Sequence, residues 1–322
     1  MQDRMLRRRL FQHALVHEGR RRQRAQQGQY SLWTEAQHQL HDHLIFRRIR
    51  ERFGGRLKYA FSGGAALSPK IAEFIDRLGI EVYEGYGLTE TSPICTCNRP
   101  GMRKIGSIGK TIPGVRVEID QNALDDDSKE GELVVYGPNV MQGYHNLPDE
   151  TAAVMTPDGG FRTGDRGRVD EDGFFFITGR IKDHYKLENG KYVAPAPLER
   201  QLQLSPFMAQ VFIHGENKPF NVALIVPDRS ALESWAKKEN VPGDYLAILH
   251  DPATKDLIRM ELEGQSRDIR GYEKIKNFCL IEQEFSTDNG TLTPTLKLKR
   301  GAVMQRYGDL IAAMYEEADE VN

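Results

Sequence analysis

LKYAFSGGAALSPKIAEFIDRLGIEVYEGYG, residues 57–87, reads as strand, helix and strand in immediate succession. The apolar run from Leu57 stops at Gly63 and Gly64, which predicts a buried strand followed by a tight loop. Pro69 opens the next segment with Ser68 before it as a cap, and Gly79 closes it, so both ends of a helix are signalled. The residues from Ile80 then return as a strand that runs into Gly85 and Gly87. This order predicts parallel α/β packing, with both glycine pairs at the carboxyl ends of neighbouring strands. In such sheets ligands sit at those ends.

The texture on either side differs. Residues 1–53 read as helices broken near Gly19 and Gly28, the second running through DHLIFRRIRERF. From 105 to 179 short alternating runs are split by Gly, Pro and Asp, which predicts an antiparallel, barrel-like or hairpin-rich β region. Beyond Arg180 the pattern changes again: helix APLERQLQ, strands AQVFIHGE and FNVALIVPD, helices over 229–239 and 244–268, strand KIKNFCLIEQEF, a loop and a final helix. The expected fold is therefore α/β, α+β as a whole. It has a partial α/β sheet in 1–104, a small β-rich subdomain in 105–179, and a separate α+β domain in 180–322.

Length, 322 residues, allows about two domains, and 39% hydrophobic with 28% charged residues is the composition of an ordinary globular protein. No apolar run approaches the roughly 18 residues of a membrane span. Cys95, Cys97 and Cys279 are too few for a disulfide framework, which favours a reducing, intracellular compartment, and the expected localisation is cytoplasmic. The net charge of -2 hides a basic start: residues 1–58 hold fourteen Lys and Arg against five Asp and Glu. A basic amphipathic helix could serve targeting, a membrane surface or a nucleic acid. A solvated face accounts for it more simply, because Leu6, Leu10, Ala14 and His17 recur at helical spacing opposite the arginines.

The chemistry-bearing residues cluster in a few motifs. In YEGYGLTETSP (83–93), Gly85 and Gly87 would let a flat or anionic ligand approach the main chain. Tyr86 could stack on a base, Thr89 donate to phosphate, and Glu90 offer hard oxygens to a divalent cation. A decorated strand-to-loop turn would carry the same residues. FRTGD (161–165) offers Asp165 as an acceptor for two ribose hydroxyls, or a plain turn. TGRIKD (178–183) places Arg180 and Lys182 at the junction, where an arginine could reach a nucleotide or merely decorate a linker. GSIGKT (106–111) ends like a phosphate loop, but Lys104 stands where the first glycine is required and the flanks alternate like strands. CTC (95–97) lacks partners for zinc, and the histidines at 38, 41 and 43 read as helix-surface residues.

Taken in order, SGGAALSP, YEGYGLTETSP, GSIGKTIPGV, GELVVYGPNVMQGYHNLPDET, GFRTGDRGRVDEDGFFFITGRIKD and LTPTLKLKR resemble the adenylate-forming (AMP-binding) superfamily, most closely its long-chain fatty-acyl-CoA synthetases. The resemblance extends from about residue 45 to the end. It implies an acid–thiol ligase that joins ATP and a long-chain fatty acid into an acyl-adenylate, then passes the acyl group to coenzyme A. By the same resemblance Gly63, Gly64 and Ala65 line an adenine pocket and Tyr86 packs on the base beside Gly87. Thr89 contacts phosphate, Glu90 is associated with Mg2+, and Asp165 binds ribose with Arg180 beside it. Lys182 is a hinge between domains, and Lys297 touches carboxylate and α-phosphate, with Lys299 second in line because Leu296 replaces the usual glycine before the lysine. Partners would be the fatty acid, ATP and CoA, with no nucleic acid, and with peripheral contact to a membrane because the acid is a lipid.

The sequence departs from the family in one respect. The Ser/Thr/Gly-rich loop whose lysine cradles the β- and γ-phosphates has no counterpart in these 322 residues. The expectation is a C-terminal portion of a synthetase, with sheet edges laid bare. It would be either active with a chain that supplies the rest, or a nucleotide-binding fragment or interaction module without turnover.

Overall fold

The computed structural model describes residues 2–124 and 129–319. It divides into two compact units, Met1–Ile177 and Thr178–Asn322.

The first unit begins with helices α1 (Gln2–Gln26), α2 (Leu32–His41) and α3 (Arg47–Glu51), the last two joined by a π-helical turn at Asp42–Phe46. The expected break at Gly19 does not occur. Glu18, 1% exposed, is held by Arg21, Arg22 and His38, and this network offsets the ~1 kcal/mol that a mid-helix glycine costs. A Cβ on Gly19 would sit 3.2 Å from the Arg77 guanidinium carbon, so the missing side chain makes room for that contact. Ala14 is fully buried with Phe46 and Leu78, whereas Leu10 is exposed and the Leu6 side chain lies outside the described residues.

Strand β1 (Tyr59–Ser62), helix α4 (Pro69–Arg77) and strand β2 (Glu81–Tyr86) follow, with β1 and β2 parallel and Ser62 opposite Glu84. Ser68 occupies the position before α4 without a side-chain cap bond, and Gly79, at φ +81°, ends it. One expectation fails here: β1 is not buried. It is the edge of its sheet, pairing only with β2, and Tyr59 and Phe61 are 49% and 73% exposed. An apolar strand is buried only where another layer covers its face, and among the described residues none covers this one.

Strands β3 (Thr96–Cys97) and β4 (Lys110–Thr111) extend that sheet antiparallel beyond β2. A second sheet comprises β5 (Arg116–Asp120), β6 (Gly131–Tyr136), β7 (Phe161–Val169) and β8 (Phe175–Arg180), with helix α5 (Pro148–Val154) between β6 and β7. It is open rather than barrel-like. Its core, with Leu133, Val135 and Phe175, is shared with Cys95 and Ile108, which lie just before β3 and β4. The backbone of Phe175 also pairs with Ile108 and Gly109 at 2.9 Å. This explains GSIGKT: Gly109 has φ +83°, and a Cβ there would lie 1.9 Å from the Cys97 carbonyl carbon, so the glycine serves a close strand crossing.

In the second unit the short pair β9 (Tyr185–Lys186) and β10 (Tyr192–Val193) precedes helix α6 (Pro195–Leu202). A three-stranded sheet then forms from β11 (Met208–His214), β12 (Asn221–Pro227) and β13 (Ile275–Leu280). Helices α7 (Arg229–Glu239), α8 (Tyr245–His250) and α9 (Pro252–Gln265) lie between β12 and β13, and α10 (Arg300–Asp319) closes the unit. The single helix expected over 244–268 is two. Pro252 forces Asp251 into extended backbone, and the Asp251 carboxylate caps α9 by accepting from the Ala253 amide.

Candidate functional site

The residues brought together lie in the first unit, at the carboxyl ends of β1 and β2. The parallel register sets the Gly63–Gly64 loop beside the end of β2, and a Cβ on Gly63 would be 3.4 Å from the Gly85 carbonyl oxygen. Glu84 is buried on β2 and accepts the Leu67 amide at 3.1 Å, tying the loop after Gly64 back to the strand. Gly87 is required for a different reason: a Cβ would fall 1.6 Å from the Pro93 carbonyl oxygen. The two glycine pairs therefore lie side by side at the strand ends, Gly63 and Gly64 exposed and Gly87 packed on the Pro93 main chain, with Ala65 exposed beside them.

Tyr86 enters this site from the end of β2 and donates its hydroxyl to Asp165 Oδ2 at 2.7 Å. Burial, reinforced by the Asp165 charge, pushes the phenol well above its ordinary range, so it stays a donor. Asp165 sits within β7, buried, and its own amide donates to Thr163 Oγ1 at 3.1 Å. Two motifs 79 residues apart in sequence, YEGYG and FRTGD, thus meet through one hydrogen bond.

The turn Thr89–Thr91 is closed from within: the Leu88 amide donates to Thr91 Oγ1 at 2.9 Å, and that hydroxyl reaches Leu88 O and Pro93 O. Thr91 is buried, whereas Thr89 is exposed and Glu90 half-buried. Glu90 Oε1 accepts the Tyr144 hydroxyl at 3.0 Å, and burial together with this bond raises the phenol's pKa. Glu84 and Tyr144 were not singled out from the sequence, although YEGYG and GYHN both drew notice.

The donor set suits a cation that arrives with a nucleotide. Magnesium is usually held by one or two carboxylates plus substrate phosphates rather than by a protein cage. Glu90 supplies one half-buried carboxylate beside an exposed Thr89 hydroxyl. Among the described residues no group of three or more His, Cys, Asp or Glu is placed to hold a metal ion. Cys95 and Cys97 are free thiols, Cys95 buried.

Arg180, Lys182 and Lys297 belong to the second unit. Arg180 is exposed, and its carbonyl oxygen lies 2.6 Å from His184 Nδ1. Lys182, also exposed, lies in the short helical turn that follows. Lys297 sits on a tight loop: its amide donates to Thr293 Oγ1 at 3.0 Å and its carbonyl accepts the Thr293 amide at 2.8 Å. Leu296, immediately before it, has φ +61°, the left-handed conformation that glycine adopts at no steric cost. Downstream, Arg300 donates to buried Glu199 at 2.9 Å, bonds the Ile213 carbonyl and lies over the Phe212 ring at 4.6 Å. The base of the lysine loop is thereby clamped to α6 and β11.

Comparison with known proteins agrees with this geometry. The AMP-binding enzyme family model matches residues 8–145, and the AMP-binding enzyme C-terminal domain model matches residues 182–319. The chain is 37% identical over 290 residues to long-chain-fatty-acid–CoA ligase FadD15 of Mycobacterium bovis, a match that covers 89% of this chain and 46% of that protein. To human long-chain-fatty-acid–CoA ligase 1 it is 35% identical over 286 residues, 86% of this chain and 40% of that protein. The A domain of carboxylic acid reductase from Segniliparus rugosus, solved with AMP and a co-purified carboxylic acid, superposes with a TM-score of 0.69 at 25% identity, over 95% of this chain and 46% of that one. The chain belongs to the AMP-binding, adenylate-forming enzyme family. It spans less than half the length of these relatives.

Proposed function

We propose that this chain carries the adenosine-binding and lysine-bearing parts of a long-chain fatty acid–CoA ligase, which forms acyl-CoA, AMP and pyrophosphate through an acyl-adenylate. The observation that carries the reading is the Tyr86–Asp165 hydrogen bond at the mouth of paired glycine turns. Adenine would lie against Tyr86 over Gly63, Gly64 and Ala65, with Gly87 beneath. Asp165 would take the ribose hydroxyls with Arg180 beside it, and Thr89 would donate to phosphate. Glu90 would hold Mg2+, which when bound neutralises phosphate charge. Lys297, or Lys299 two residues on, would offset the charge that builds as the fatty carboxylate attacks the α-phosphorus. The mixed anhydride is then open to the thiol of coenzyme A, and Lys182 would be the hinge for the change between half-reactions.

A cytoplasmic setting with peripheral contact to a membrane fits a lipid substrate, and no described helix is long and apolar enough to cross one. A partner chain could supply the β,γ-phosphate loop. A second reading is a nucleotide-binding module without turnover. Pyrophosphate exchange into ATP, with palmitate and magnesium, separates the two. Palmitate-dependent exchange lost in Lys297→Ala supports the ligase; nucleotide binding without exchange selects the module. A folded chain that binds no adenine nucleotide overturns both.

A further inference from the structure

The segment Gly137–Tyr144 meets the Thr89–Thr91 turn at three points. The Met141 amide donates to the Glu90 carbonyl at 2.8 Å, Asn139 Nδ2 donates to the Thr91 and Ile94 carbonyls at 2.9 and 3.1 Å, and the Tyr144 hydroxyl donates to Glu90 Oε1 at 3.0 Å. Tyr144 is itself fixed from behind: its amide donates at 2.9 Å to Thr151 Oγ1 on α5, and that hydroxyl donates at 2.8 Å to the Leu147 carbonyl. Gly143, at φ +152°, permits this approach, because a Cβ there would lie 2.8 Å from Thr151 Cγ2. The phenol is thus aimed at one carboxylate oxygen by a backbone with little freedom. Among the described residues Glu90 Oε2 accepts no hydrogen bond, which leaves that oxygen available to a hard cation.

Resting on the nucleotide reading of this site, we infer that Tyr144 is a positioning residue: it holds the Glu90 carboxylate in the orientation that receives the magnesium–phosphate group of a nucleotide. A carboxylate on a three-residue turn rotates freely unless its second oxygen is engaged, and a partner behind a metal-binding carboxylate typically changes metal affinity by ~10–100-fold when removed. The phenol suits this task, since it donates one hydrogen bond without adding charge and cannot compete for the cation. The Met141–Glu90 bond places the main chain of the turn, and Tyr144 places its side chain.

The test uses the full chain and Tyr144→Phe, which keeps the ring and removes the donor. AMP without metal, then ATP with and without magnesium, are titrated calorimetrically, and amide exchange at Met141 is followed in the same samples. The expected result is AMP affinity unchanged within about twofold, while the magnesium-dependent gain in ATP affinity falls by ~10-fold. A gain that is the same in both proteins overturns the assignment. Should AMP bind neither protein, the nucleotide reading falls and this assignment with it, whereas AMP binding to both with an equal magnesium gain overturns the assignment alone; unchanged Met141 protection shows that Tyr144→Phe keeps the main chain of the turn.

Discussion

Two strands of similar apolar character meet opposite fates. In β12 all seven residues are buried: Ala223 and Ile225 face one core with α6 and α9, while Val222, Leu224 and Val226 face another with α10. In β1 Tyr59 and Phe61 stand in solvent. The difference lies in neighbours rather than residues. β12 has β11 and β13 beside it and helices on both faces, whereas β1 has β2 on one side only. The second unit thus seals its own core. The leading layer of the first rests on the small cluster Ala14, Phe46 and Leu78 and on ion pairs around Glu18 and Asp76. The site joins the two situations: Tyr86 packs against the Leu133–Phe175 core, while the Gly63–Gly64 loop follows the bare edge strand β1.

The sharpest way to break this contrast is to remove one member of a buried ion pair from each unit. Burial pushes the Glu199 carboxyl up while Arg300 pulls it back, so Arg300→Met leaves an uncompensated buried acid. The expected loss is ~3–5 kcal/mol of unfolding free energy in urea. Arg22→Met should cost less, because Asp76 keeps Arg103. Equal losses would show that the two units are built alike.

Leu296→Gly should work in the opposite direction. A leucine at φ +61° costs ~1–2 kcal/mol that glycine avoids, so the variant should be more stable by about 1 kcal/mol in the same denaturation experiment. Unchanged or lower stability would mean that the loop holds its shape for reasons other than Leu296.

The leading layer should also respond to pH. His41 lies 5.6 Å from the His13 ring and 5.1 Å from the His17 ring, on the same helix as His38 and near Glu18. Burial, then repulsion from the neighbouring imidazoles, lowers its pKa from the ordinary 6.5. A depressed histidine contributes stability that is present above 6.5 and is lost as pH falls through the folded value. Amide protection factors in α1 and α2 should therefore fall as pH drops below 6.5, and His41→Phe should flatten the change. Exchange in β12 should not follow. The smallest effect belongs to the bare edge: Phe61→Thr should alter stability by under ~0.5 kcal/mol and reduce self-association measured by light scattering.

Much of this was legible in the sequence because the signals were local. Pro69 and Gly79 bracket α4 by backbone chemistry alone, and the two glycine pairs announce neighbouring strand ends. Leu296 shows a further kind of legibility: it stands where the resemblance has a glycine, and its backbone takes the glycine-like conformation. What stayed hidden was set by distant contacts. Gly19 looks like a helix breaker until Glu18 is seen gripped by two arginines and a histidine. Tyr144 carries no signal of its own until the chain folds it onto Glu90, 54 residues earlier. The exposure of β1 and the packing of His41 against the His13 and His17 rings, where a helix-surface residue was expected, likewise depend on which elements lie alongside.

The central claim is that β1, β2 and β7 hold an adenosine site in the first unit, whatever the chain does in turnover. Calorimetric titration of AMP into the full chain, Tyr86→Phe and Asp165→Ala, each first verified as folded by circular dichroism, tests it most directly. The account predicts saturable one-site binding, weakened ~10-fold in Tyr86→Phe by the lost charge-assisted hydrogen bond and abolished in Asp165→Ala. Equal affinity in all three proteins, or no binding to the folded parent chain, would contradict it.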